Sequence, residues 1–257
     1  MPEVDLLLVG SPLRTAQGVV GFCTVTLIKG EKLTLVDTGH VGRRNVLLAA
    51  LAERGIKPED IDYSLMTHAH WDHAQNFDLF DNAPTLIHSW ERKYAQDPHV
   101  NDWATPRWTG AMIEQQSNIV EVEDGHEIEP GVRIIHTPGH SAGSVSVLVD
   151  TDDGVAAVTG DVLHYSTVAL TRHNPLVFWS GEDATRSIDR IMDNADLIYP
   201  GHDRPFRVVN GDQIEYVGEE EMEIAGIEPD KVVWDRSARE PWAMPGIETQ
   251  RARLLGQ

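Results

Sequence analysis

One cysteine occurs in 257 residues, so Cys23 has no partner within the chain and an internal disulfide is excluded. That usage fits a reducing compartment. No apolar run approaches the roughly 20 residues that a membrane-spanning helix needs. The N-terminal apolar run, Leu6 to Val9, is too short for a signal-peptide core, and it follows acidic residues rather than basic ones. A cytoplasmic protein is the expectation. Basic residues are scarce: 21 Lys and Arg stand against 41 Asp and Glu, for a net charge of −20. A surface of that sign repels phosphate backbones, which excludes nucleic acid and anionic membranes as partners. A small-molecule substrate remains. No internal repeat is visible.

What is present is ordinary globular material, 41% apolar and 24% charged, long enough for a large core. β-Branched and apolar content predicts strands at 4–9, 19–29, 32–37, 61–66, 85–88, 119–122, 132–136, 144–149, 155–159 and 197–199. A hairpin turn is expected at Gly30. Apolar residues at Val46, Leu47, Ala50 and Leu51 have helical spacing and predict a helix over 43–54, with Gly55 as its stop. Further helices are expected over 90–95, capped by Ser89, and over 183–192. Residues 96–110, with Pro98, Trp103, Pro106 and Trp108, read as an ordered loop or insertion. The chain divides at residue 212. Residues 1–212 form a catalytic domain, and 213–257, with an acidic stretch at Glu219, Glu220, Glu221 and Glu223, form an extension packed on the domain or at a homodimer interface.

Residues 67–73 read Thr-His-Ala-His-Trp-Asp-His. Four potential metal ligands, His68, His70, Asp72 and His73, fall within six residues. Imidazole and carboxylate suit zinc and similar divalent ions. In extended chain, side chains two apart point the same way, so His68 and His70 can face one metal. Asp72 and His73 lie at the turn into a helix and face a different point, which suggests two adjacent metals.

The pattern recurs downstream. Strand 132–136 runs into Pro138-Gly139-His140, strand 155–159 into Gly160-Asp161, and strand 197–199 into Gly201-His202. Glycine lets the backbone turn and approach a cluster closely. In its His-x-His-x-Asp-His segment, these three strand ends and the Asp37-Thr38-Gly39 turn, the sequence resembles the metallo-β-lactamase-fold hydrolase superfamily, in its lactonase and glyoxalase II-like branch. The match spans residues 37–202. It implies an α/β fold, an αββα sandwich of two mixed sheets flanked by helices with metals at one edge.

The resemblance also implies roles. His68, His70 and His140 would bind a first metal, Asp72, His73 and His202 a second, and Asp161 would bridge both. Two zinc ions are the expected cofactors, with iron or manganese as alternatives. The implied reaction is hydrolysis, in which a hydroxide shared between the metals attacks the carbonyl of a small neutral ester, a lactone first. Asp72 has an added role in proton transfer, and His164 and Tyr165 are candidates for stabilising the oxyanion. A glyoxalase II-like thioesterase is the nearest alternative, although residues 213–246 are mainly acidic where that branch reads glutathione with basic residues. A persulfide dioxygenase of the same fold, with one iron, is the redox alternative. A non-catalytic binding module conflicts with the intact ligand set.

Each of these residues also has a plainer reading. Singly, His140, Asp161 and His202 are turn residues, and only together with the heptad do they make a set. Asp37 is expected to buttress the site through hydrogen bonds. Trp103 and Trp108 read as a substrate lid, a packed loop or a dimer contact, and Trp71 as packing. Cys23 reads as a small core residue. His173, Phe178 and Trp179 are candidates for lining a pocket. Arg204 reads as a salt-bridge residue or a holder of a substrate carboxylate.

Overall fold

A computed structural model describes residues 1–15, 18–19, 21–218, 233–234 and 242–256. Two sheets carry the fold. The first has six strands in the order Glu3–Leu8, Val25–Lys29, Leu33–Val36, Tyr63–Leu65, Thr85–His88, Ile119–Val122. Its first three strands pair antiparallel and the rest parallel. The second has seven, in the order Gln213–Tyr216, Phe206–Val209, Leu197–Pro200, Gly154–Gly160, Val145–Thr151, Val132–His136, Glu127–Glu129. Only its pair Gly154–Gly160 and Leu197–Pro200 is parallel.

Alternation along the strands explains the layers. Val132, Ile134, Val147 and Val149 turn inward and meet Val4, Ile28, Val36 and Leu65 of the first sheet, forming the buried interface between the sheets. Their neighbours Ile135 and Leu148 turn outward, beneath Ile188 and Ile191 of helix Gly181–Met192. On the other outer face, Leu27 and Leu35 pack on Leu47 and Leu51 of helix Arg44–Glu53. Helices Ser89–Gln96 and Arg107–Gln115 cover the parallel end of the first sheet through Ala95 and Ile113 against Met66 and Ile87. Helices thus flank two sheets, the αββα sandwich expected. Cys23 is wholly buried in this packing, and burial pushes its thiol up to about 12.

Four local readings change. The second sheet continues past residue 212: Gln213–Tyr216 pairs with Phe206–Val209 through the turn at Asn210-Gly211. The domain end drawn at 212 therefore falls inside a hairpin. The described part of the extension returns to the body as strands, Val233–Trp234 on Leu13–Thr15 and Trp242–Ala243 on Leu176–Val177, and then forms helix Ile247–Leu255. Glu219, Glu220, Glu221 and Glu223 lie outside the described residues. Residues 107–110, read as loop, begin helix Arg107–Gln115. The cap of helix Ser89–Gln96 is His88, whose Nδ1 accepts from the Trp90 N–H, not Ser89. No helix among the described residues is long and apolar enough to cross a membrane.

Candidate metal centre

Tyr63–Leu65 is a buried parallel strand, and the chain leaves it directly into the heptad. The chain bends at Thr67 and runs without regular structure to His70, which is extended at the N-cap position of helix Trp71–Ala74. His68 and His70 therefore project before the turn, and Asp72 and His73 within it. On the second sheet, His140, Asp161 and His202 follow the C-terminal ends of their strands, at the same edge of the sandwich.

All seven predicted ligands meet there, in two groups. His68, His70, His140 and Asp161 form one, and Asp72, His73 and His202 the other, with ligand atoms within 4.8 Å of one another in each group. Asp161 faces both. Its Oδ2 lies 3.5 Å from His140 Nε2 and 4.0 Å from His68 Nε2. Its Oδ1 lies 3.1 Å from His73 Nε2 and 3.3 Å from His202 Nε2. Six of the seven are nearly inaccessible, and the Asp72 side chain is 14% exposed.

Residues 18–202 match the Lactamase_B family, the metallo-beta-lactamase superfamily. The chain belongs to the metallo-beta-lactamase superfamily. Among relatives in it, metallo-beta-lactamase domain-containing protein 1 of Xenopus laevis is 32% identical over 212 residues, covering 80% of this chain and 79% of that protein. An N-acyl homoserine lactonase from a Bacillus species is 30% identical over 192 residues, 71% of this chain and 70% of that one. Among solved structures, an N-acyl homoserine lactone hydrolase with its product N-hexanoyl-L-homoserine at the catalytic metal centre superimposes with a TM-score of 0.62. It covers 79% of this chain and 92% of that chain at 21% identity, a likeness of fold. The chain is thus a metallo-hydrolase of the metallo-beta-lactamase fold, with side chains placed to hold metal.

The donor set in this superfamily member fits a divalent cation on its own chemistry. His68 Nε2, His73 Nε2 and Asp161 Oδ1 are buried with no hydrogen-bond partner among the described residues. Buried polar atoms left without partners are costly, and a cation relieves several at once. Three of the rings, those of His68, His73 and His140, are held by their other nitrogen. His140 Nδ1 donates to Leu176 O at 2.7 Å, which leaves the Nε2 lone pair aimed inward, 2.9 Å from His70 Nδ1. His73 Nδ1 donates to Asp37 Oδ2 at 2.8 Å. The Thr67 hydroxyl donates to the same Asp37 oxygen, so its own oxygen receives His68 Nδ1 at 3.0 Å. Such outer partners fix tautomer and direction.

Electrostatics divide the cluster. Burial and the neighbouring histidines hold His68 and His140 well below the ordinary imidazole range, and burial brings His70 down to about 3, so all three keep a free lone pair. Burial also pulls His73 down, but Asp161, Asp37 and Asp72 outweigh it and raise it well above its usual value. His202 is raised in the same way, chiefly by Asp161 against burial. Burial pushes Asp161 up, and His164, His202 and His73 together carry it well below the carboxylate range. A cation between these groups takes the place of the protons they share.

Asp37 does what the sequence suggested, accepting from Thr67 N–H, Thr67 Oγ1 and His73 Nδ1. It does so at φ 59°, a left-handed backbone that Asp tolerates better than most side chains. His164 and Tyr165 both line the cavity over the cluster, with His164 Nε2 3.0 Å from Asp161 Oδ2. Arg204 does not line it; its guanidinium sits 4.1 Å over the Tyr216 ring. Phe178 lines the cavity, whereas His173 and Trp179 do not.

Three residues were missed. Glu91, wholly buried, accepts from Ala69 N–H, Ser141 Oγ and Gly143 N–H. Burial raises its carboxyl above the usual range against the pull of those donors. Asn174 donates to the carbonyls of Asp161 and Val162 and accepts from Leu176 N–H, tying the Asp161 turn to the carbonyl that orients His140. Trp71, read as packing, forms part of the cavity wall.

The cavity measures about 400 Å³ and opens over both groups. Its apolar wall includes Trp71, Trp103, Leu176 and Phe178, and among the described residues no Lys or Arg lines it. Trp103 stands at its rim, 60% exposed and 5.2 Å edge-on from Phe178, while Trp108 lies on a helix away from it. Trp103→Ala is expected to raise KM about tenfold, or about 1.4 kcal/mol, with kcat held. Steady-state kinetics test this, and unchanged constants would return Trp103 to surface packing.

Proposed function

We propose that the chain is a two-metal hydrolase of small neutral esters, with lactones as the first substrate class. The observation that carries the reading is Asp161, one carboxylate whose two oxygens face two separate histidine groups. Zinc is the proposed ion, because five imidazoles and two carboxylates suit it best; iron and manganese accept the same donor types. When bound, two such ions supply Lewis acidity and lower the pKa of a shared water.

The chain's own groups do the rest. Two ligand-type carboxylates line the cavity, and Asp72 is the more exposed, 14% against 5% for Asp161; its Oδ2 lies 3.3 Å from His202 Nε2. We place there the proton taken from water and returned to the leaving oxygen. His164 donates to Asp161 Oδ2 and holds that carboxylate in place. Tyr165, on the same wall, is assigned to the substrate oxygen that becomes negative. Among the described residues the wall carries no Lys or Arg, which supports a neutral substrate over an anion. Similarity to the Bacillus lactonase and to the product-bound lactone hydrolase supports lactones.

Metal analysis of protein purified without added metal tests the reading, followed by a panel of lactones, thioesters and β-lactams. Two divalent ions per chain with lactone turnover is the expected result. One iron per chain with thiol-dependent oxygen uptake would replace the reading with a dioxygenase. Preference for thioesters would move it to the thioesterase branch.

A further inference from the structure

Glu91 lies outside both metal groups and touches no ligand side chain, yet it is among the most enclosed carboxylates in the chain. Its Oε1 accepts from the Ala69 N–H at 2.7 Å. Ala69 stands between His68 and His70. Its Oε2 accepts from the Ser141 hydroxyl at 2.8 Å and the Gly143 N–H at 2.7 Å. Those residues follow His140. One carboxylate thus pins both loops that carry the three histidines of the first group. Close approach is built in: a Cβ at Gly143 would overlap the Glu91 backbone nitrogen. The second group is anchored directly by Asp37, bonded to His73, and Asp37 reaches the first group only at one remove, through Thr67 and the His68 ring.

We propose that Glu91 is the positioning residue of the first metal group, setting the separation of His68 and His70 from His140, as Asp37 positions the second. This rests on the two-metal reading above. Two backbone N–H donors and a hydroxyl converge on Glu91, so only an acceptor at both oxygens satisfies them. In Glu91→Gln the amide nitrogen must face one of the two backbone N–H groups. One loop is then released while side-chain volume is kept. Partners of this kind alter metal affinity by about 10–100-fold.

The experiment is zinc titration against a chromophoric chelator, on the full chain, with metal content after dialysis as a second readout. Wild type holds two ions. Glu91→Gln is expected to weaken one ion about 10–100-fold and leave the other unchanged. Asp37→Asn is expected to weaken the other ion most, with a smaller effect on the first through Thr67 and His68, and the double variant to lose both. Two wild-type affinities in Glu91→Gln overturn the proposal. A double variant that still holds one ion tightly also overturns it, since both residues would then serve one site. If wild type binds no zinc, the two-metal reading fails and takes the proposal with it. Should Glu91→Gln not fold, Ser141→Ala removes one of the three donors with less disturbance. A several-fold weakening of one ion supports the proposal, and unchanged binding of both overturns it.

Discussion

Asp161→Ala is expected to cut kcat/KM by about 10³-fold, some 4 kcal/mol of transition-state stabilisation, and to lower metal content from two ions to one or none. The cause is the double duty of one side chain. Oδ2 lies against His68 and His140, and Oδ1 against His73 and His202. No other carboxylate among the described residues faces both groups. Its loss removes a donor from each side at once and the negative charge that raises His202. Asp161→Asn separates shape from charge. It keeps the outline of the side chain but puts an N–H donor where one group needs an acceptor, so it is expected to lose metal nearly as fully. Metal content and kinetics measured together decide the matter. Full activity with both ions retained would refute the bridging placement.

Gly201→Ala, which changes no ligand, is expected to cost about 10²-fold in kcat, the loss associated with roughly 1 Å of misplacement. A Cβ at this position would overlap Asp161 Oδ1 and crowd the Gly160 carbonyl. Gly201 is not among the residues at positive φ, so backbone strain does not enter and the effect is steric. The carboxylate must rotate or the Pro200–His202 turn must shift, and either movement spoils the second group, because His202 is the next residue. Gly181→Ala is the control: a Cβ there meets nothing within 4 Å. Wild-type kcat in Gly201→Ala, with Gly181→Ala also silent, would show that the turn yields without moving Asp161.

The gathering of seven ligand-type side chains was legible because its chemistry is written locally. Four ligands share one heptad, and the other three each follow a glycine at the end of a short apolar strand. The two-sheet sandwich followed from strand alternation together with the family resemblance. What escaped depends on contacts between distant segments. Glu91 lies in Ser-Trp-Glu-Arg-Lys, a stretch that reads as an exposed helical turn, and only folding places Ala69, Ser141 and Gly143 around it. Leu176 gained its role through a backbone carbonyl, which the identity of its side chain does not announce. Helix Arg107–Gln115 was hidden by Pro106 and Trp108, which look like loop punctuation; Pro106 in fact occupies the N-cap position. His88 displaced Ser89 as a cap because imidazole Nδ1 can accept as a hydroxyl does. The hairpin across residue 212 was missed because its strands, Phe206–Val209 and Gln213–Tyr216, are only four residues each and, Phe206 apart, lie half-buried or exposed.

Each histidine group draws on both halves of the sandwich. His68, His70, Asp72 and His73 come from the first sheet, and His140, Asp161 and His202 from the second. A cation in either group is therefore also a cross-link between the two layers. It adds a coordinate tie to an interface packed mainly from Val, Ile and Leu side chains and bridged by hydrogen bonds such as Tyr199 to the Val4 carbonyl. Whatever binds the folded chain and not the unfolded one stabilises it in proportion to the logarithm of its free concentration over its dissociation constant. On the two-metal reading, catalysis and cohesion share one set of seven side chains, and metal supply would set how firmly the halves are fastened as well as how fast a bond is cut.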